Sequence, residues 1–172
     1  MQKYFKYLPL VSLFFLALGV LLFCVCDIFE VQLFGLNGNV KALQIIFDSD
    51  RYLEGCPNIS ALLCFIFMMI GLISLLIYVI LYYKNKGSQK LKDVLFWLAA
   101  GSLFIGGFVG FFAKADYIAH TAKDNQSILK ALVDITAGYI ISCVCLLVSS
   151  LILVGIFLIN KFYKQPSENK SE

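Results

Sequence analysis

Residues 94–113 read VLFWLAAGSLFIGGFVGFFA, twenty positions with four glycines and no charge. At a 1.5 Å rise per residue, a helix of this length spans about 30 Å, the thickness of a bilayer's hydrocarbon core. Ser102, Gly106 and Gly110 fall at every fourth position and so share one face of that helix. Apolar side chains gain nothing by leaving lipid for a helix interface, so small residues that let backbones touch are favoured there. The stretch therefore reads as a membrane span with a packing groove along Ser102, Gly106 and Gly110. That groove faces either another helix of the same chain or a second molecule.

Three further segments match it. Residues 8–28, 59–83 and 132–159 are each long and apolar enough to cross. The whole 172-residue chain is 60% hydrophobic and 15% charged, a membrane composition when set against about 25% charged in soluble domains. Only short polar connections separate the four spans, so residues 1–172 form one membrane domain with no room for a soluble one. The expected class is an all-α integral membrane protein, a four-transmembrane-helix bundle with a small extracytoplasmic cap. The first apolar run exceeds the h-region of a secretory signal, and no small-x-small cleavage site follows it. It is expected to be an uncleaved anchor.

Charge gives an orientation. The amino terminus, the connection 84–93 and the tail 160–172 hold nine lysines against Asp93, Glu168 and Glu172. The loops 29–58 and 114–131, with the span ends beside them, hold five basic residues against eight acidic ones. Basic residues near span ends are retained on the cytoplasmic side, which places both termini inside. Tyr4, Tyr7, Tyr82, Tyr83 and Tyr163 fall at the same boundary, where an amphipathic ring rests among headgroups. The net charge of +3 thus reflects orientation in a bilayer and implies no nucleic-acid partner. Thirteen of the fourteen basic residues are Lys, a bias that suits an AT-rich coding sequence. The bacterium this implies would make the membrane a plasma membrane.

The first outer loop, 29–58, carries the most polar sequence and seven or more large apolar residues, which favours an ordered cap over a chain open to water. Asn37 and Gly38 both tolerate positive φ and predict the tip of a β-hairpin, with Val31 and Leu33 before it and Val40 and Ala42 after. The alternative is a strand followed by an amphipathic helix over 40–47. Four spans with a larger first outer loop resemble the layout of claudin-type tetraspan proteins. The W-GLW-C-C pattern of the claudin loop and the CCG motif of tetraspanins are absent, so the likeness is one of layout alone.

The motifs of chemistry are sparse. Six cysteines occur, as Cys24-Val-Cys26, Cys56, Cys64 and Cys143-Val-Cys145. Residues two apart on a helix point about 200° apart, so neither C-x-C pair faces one reaction site, and thiols within apolar spans commonly act as small hydrophobes. Cys56 lies in the outer loop and is the candidate for a disulfide with Cys24 or Cys26. Asp48, Asp50 and Glu54 resemble a fragment of a calcium loop, but Leu53 stands where the loop requires Gly. One histidine, His120, and no metal-ligand spacing leave neither metal nor cofactor expected. Asp116 and His120 would share a helix face as a surface ion pair. Proton- and ion-coupled carriers usually keep an ionisable side chain at membrane depth, and no span has one near its middle.

No catalytic residue is assigned. The function expected is that of a non-enzymatic scaffold, accessory or interaction module using its outer cap. The second reading is a subunit of a multi-component transporter or channel. Partners implied are the lipid bilayer and either a membrane protein or a second copy of the chain. With the native cysteines replaced, a single cysteine at Asn37 or Gln126 should react with an impermeant maleimide from outside, and one at Gln89 should not. Labelling at Gln89 alone reverses the orientation.

Overall fold

The computed structural model describes residues 7–33, 36–47, 58–121 and 133–164. Among them the chain runs α1 (Leu8–Val25), β1 (Asp27–Leu33), β2 (Leu36–Lys41), α2 (Ala42–Phe47), α3 (Ile59–Tyr83), α4 (Gln89–Gly110), α5 (Ala113–Thr121), β3 (Val133–Ile135) and α6 (Ala137–Lys164). The helices α1, α3, α4 and α6 are the four long enough and apolar enough to cross a membrane. Around the bundle they pack in the order α1, α6, α4, α3, and α1 touches α3 only lightly. Large apolar side chains such as Phe14, Leu21, Ile73, Val94, Phe108 and Leu151 are exposed on the bundle's flanks, as lipid-facing positions would be.

The spans differ from the sequence expectation at their cap ends. The first helix stops at Val25 and not at residue 28, and the fourth begins at Ala137 and not at residue 132. In both places apolar residues at the boundary form strands: Asp27 to Leu33 pairs antiparallel with Val133 to Ile135. Hydropathy cannot separate a short buried strand from the end of an apolar helix. The third span, α4, starts earlier than residue 94, at Gln89, where the Ser88 hydroxyl accepts from the Leu91 amide at 3.3 Å and caps it. Past Gly110 the chain turns and continues as α5 inside the stretch expected as loop.

Two seams hold the helices together. On α1 and α6, Ser12 meets Ser149 and Gly19 meets Ser142, a seven-residue step on each antiparallel helix. The Ser12 hydroxyl donates to the Ser149 carbonyl at 3.0 Å, the Ser149 hydroxyl returns to the Ser12 carbonyl at 3.0 Å, and Ser142 donates to the Gly19 carbonyl at 2.8 Å. A heptad of small residues is the period that two helices share when they wind around each other left-handedly. Ser150 ties α6 to α4 through the Ala100 carbonyl at 2.8 Å. Each such interhelical bond is worth about 0.6 kcal/mol on average, so the seams depend on number and on close backbone approach.

Asn58 joins α3 to the α4–α5 corner. Its carbonyl oxygen caps α3 by accepting from the Ala61 amide at 2.8 Å, and its amide nitrogen donates to the Ala113 carbonyl at 2.9 Å. The Asp116 carboxylate accepts from the Ser60 amide at 2.8 Å, which also sets a negative group at the positive end of α3. Replacing Asn58 by Ala removes a cap and leaves a buried carbonyl without its donor. The expected loss is about 1–3 kcal/mol, read as thermal stability in detergent. Ser88→Ala, at an exposed cap, should cost less, and equal losses would mean that the Asn58–Ala113 bond contributes nothing.

Candidate functional site: the cap, the bundle core and the opposite cleft

The cap is a three-stranded antiparallel sheet, β2-β1-β3, with the short helix α2 beside it. Both alternatives read from the sequence, hairpin and amphipathic helix, occur in succession. A bulge at Ile28 separates the Asp27–Lys41 and Phe29–Val40 pairs, and it lets consecutive residues turn inward. Ile28 and Phe29 are both fully buried, together with Val40, Ala42, Ile45, Ile46 and Val133. Phe29 packs on Tyr117 of α5 with ring centroids 4.8 Å apart.

Asn37 and Gly38 are not the hairpin tip. They lie within β2 opposite Gln32 and Val31, and pairing continues beyond them to Leu33 with Leu36. A tip at Asn37-Gly38 would draw residues 42–46 into a strand opposite Leu33 to Phe29. The observed register instead frees them to form α2, which buries Ala42, Ile45 and Ile46.

The cap is fixed to the roots of the spans. Thr136 is the residue before α6, and its hydroxyl accepts from the Tyr139 amide at 3.4 Å while donating to the Asp27 carbonyl. Its own amide donates to the Ile28 carbonyl at 3.1 Å. One residue therefore starts the fourth span and closes β1 against it. Lys114 of α5 and Asp134 of β3 form an ion pair at 3.1 Å, exposed and worth little by itself. Gly38, Asn39 and Lys41 of β2 are exposed, and β2 is an edge strand.

The groove of Ser102, Gly106 and Gly110 is filled from within the chain. A Cβ at Gly106 would stand 3.1 Å from the Phe67 Cβ and 3.4 Å from the Cys64 carbonyl oxygen, both on α3. One at Gly110 would stand 2.6 Å from the Cys143 sulfur and 3.1 Å from that of Cys64. The groove is thus not available to a second copy of the chain. Ser102 is buried and donates to the Ala99 carbonyl. Gly107, off this face, meets α6, where a Cβ would come within 3.0 Å of the Cys143 carbonyl oxygen.

Cys26 packs against Gly138 at the start of α6, and both Cys24 and Cys26 are half-buried. Cys56, their proposed partner, lies outside the described residues, as do Asp48, Asp50 and Glu54. Asp116 sits on α5, as the shared-face reading requires, and its carboxylate accepts from the Ser60 amide at the start of α3; the side chain of His120 lies outside the described residues.

Two features escaped the sequence reading. The first is a cluster inside the bundle, toward its cap end, in which Cys64 of α3, Cys143 of α6 and the Tyr139 hydroxyl are side-chain neighbours. All three residues are buried, and Tyr139 donates to the Gly110 carbonyl at 3.1 Å. The C-x-C spacing within α6 gave no sign of it, because the partner of Cys143 is on another helix. Cys145 indeed faces elsewhere, toward Gly19 of α1. The second is a cleft of about 650 Å³ at the end of the bundle opposite the cap, lined by Tyr78, Tyr82, Gln89, Lys92, Asp93 and Asn160 among others.

Adding a methyl group should separate these positions. Gly101 has nothing within 4 Å of a Cβ, so Gly101→Ala should stabilise by up to about 0.5–1 kcal/mol through helix propensity. Gly106→Leu should instead destabilise by about 1–3 kcal/mol without changing molecular mass in detergent, and Phe104→Leu, at an exposed position, should be milder. A neutral Gly106→Leu would mean that the α3–α4 contact is not close. No family model, no curated protein and no solved structure matches this chain.

Proposed function

We propose that this chain is a non-enzymatic membrane module that engages a partner through its outer cap, with both termini cytoplasmic and the bilayer a plasma membrane. The observation that carries the reading is the anchoring of the cap. Its central strand follows α1 directly, its third strand leads directly into α6, and Thr136 bonds the two. A platform so held presents the β2 edge in a fixed position, and edge strands are the part of a sheet that pairs with other chains. The buried polar side chains support the same reading. Among the described residues they are six serines and Asn58, and Ser12, Ser102, Ser142, Ser149 and Ser150 direct their hydroxyls to backbone carbonyls of their own or a neighbouring helix.

A second reading, a subunit of a multi-component transporter or channel, is supported by the cleft at the opposite end. Lys92, Asp93, Gln89 and Asn160 line it together with Tyr78, Tyr82 and Phe96. A partner helix seated there could complete a polar pathway that one chain lacks.

Photo-crosslinking in native membranes decides between them. A crosslinker at Asn39 or Lys41 should give a discrete higher-mass adduct, and one at Gln89 or Asn160 should give lipid adducts alone. Protein adducts confined to Gln89 and Asn160 would discard the cap reading for the transport one.

A further inference from the structure

We propose that Cys64 and Cys143 are a site of reversible oxidation, forming a disulfide inside the membrane that links α3 to α6 when hydrogen peroxide reaches the pair. These helices lie diagonally across the bundle and would ordinarily be held apart by α4. The glycines remove that obstacle. Gly106 lets the backbone of α3 approach at Cys64, Gly107 does the same for α6 at Cys143, and at Gly110 both sulfurs lie about 3 Å from where a side chain would begin. Both residues are free thiols with 0% exposure. Tyr139 directs its hydroxyl proton to the Gly110 carbonyl, which leaves its oxygen free to accept from a thiol.

The burial selects the oxidant. Charged and bulky reagents are excluded, whereas hydrogen peroxide is small, uncharged and able to cross the bilayer. One sulfur attacks a peroxide oxygen: an S–O bond forms, the O–O bond breaks, and the released hydroxide leaves with the thiol proton as water. The product is a sulfenic acid, which condenses with a neighbouring thiol. The second sulfur attacks the first, an S–S bond forms, the S–O bond breaks, and the hydroxyl leaves with the second thiol's proton as a second water. Two thiols are oxidised to one disulfide and one peroxide is reduced to two waters. The link would lock α3 to α6 beside the cap's roots at Thr136 and Asn58, and a thiol reductant would release it.

The test uses the full chain in liposomes. After peroxide treatment and quenching, the protein is denatured without reductant, alkylated with N-ethylmaleimide and mapped by peptide mass. Two of the six thiols should be lost, in one Cys64–Cys143 peptide that dithiothreitol restores. Cys64→Ser should leave Cys143 outside any disulfide. Since that change falls in the core, a second variant carries Cys64 and Cys143 alone, with the other four cysteines replaced by Ala, and it should crosslink as the native chain does. The proposal is overturned if both residues stay alkylatable, if they are found only as sulfinic or sulfonic acids, or if either pairs with a different cysteine.

Discussion

The close approach of α4 to its two neighbours at Gly106, Gly107 and Gly110 is the contact on which the bundle depends. Inside a bilayer, burying Leu or Ile against another helix replaces lipid with something equally apolar. Cohesion must come from dispersion at short range and from polar bonds, and both need backbones near each other. The α4 glycines supply that nearness toward α3 on one side and α6 on the other. The α1–α6 seam reaches the same end by a different device, serines and a glycine seven residues apart whose hydroxyls bond the opposing backbone. With α4 gripped on both sides and α1 held by α6, α1 and α3 need little direct contact, and they have little.

The cap is a consequence of how the spans begin. A helix start leaves backbone amides without partners, and here the partners come from the residue just before the helix or from a neighbouring element. Asn58 and Asp116 serve α3, and Thr136 serves α6. The same groups bond outward, Asn58 to the α4–α5 corner and Thr136 to β1. Satisfying the helix ends and positioning the cap are thus one event. The Ile28 bulge completes it by turning two consecutive apolar residues under the sheet.

The four spans and the presence of a cap were legible because hydrophobic length and loop composition are local properties. The span ends were not, since Ile28, Val133 and Ile135 are as apolar as the helices they adjoin and their pairing is a tertiary fact. The hairpin was legible and its tip was not: Asn37-Gly38 favours a turn locally, but burial of Phe29 opposite Val40 and of α2 outweighs that preference. Ser102, Gly106 and Gly110 were readable as a packing face from their period alone. The heptad of Ser12 and Gly19 against Ser142 and Ser149 was equally present in the sequence, as two small-residue pairs seven apart. The Cys64–Cys143 pair had no sequence signal, because residues 79 positions apart on diagonal helices meet only through the glycines between them.

Small and large residues are distributed unevenly along the bundle, and this gives its two ends different characters. Toward the cap, Gly106, Gly107, Gly110, Gly138 and Ser142 bring the helices close. Toward the other end, rings occupy the interfaces: Tyr78 meets Phe96 at 5.4 Å and Trp97 meets Phe157 at 4.8 Å between centroids. Rings are bulkier spacers than glycines, so the helices that touch at the cap end leave the cleft of about 650 Å³ at the opposite one. The interfaces set by glycines thus belong to the cap end, and those set by rings border the cleft.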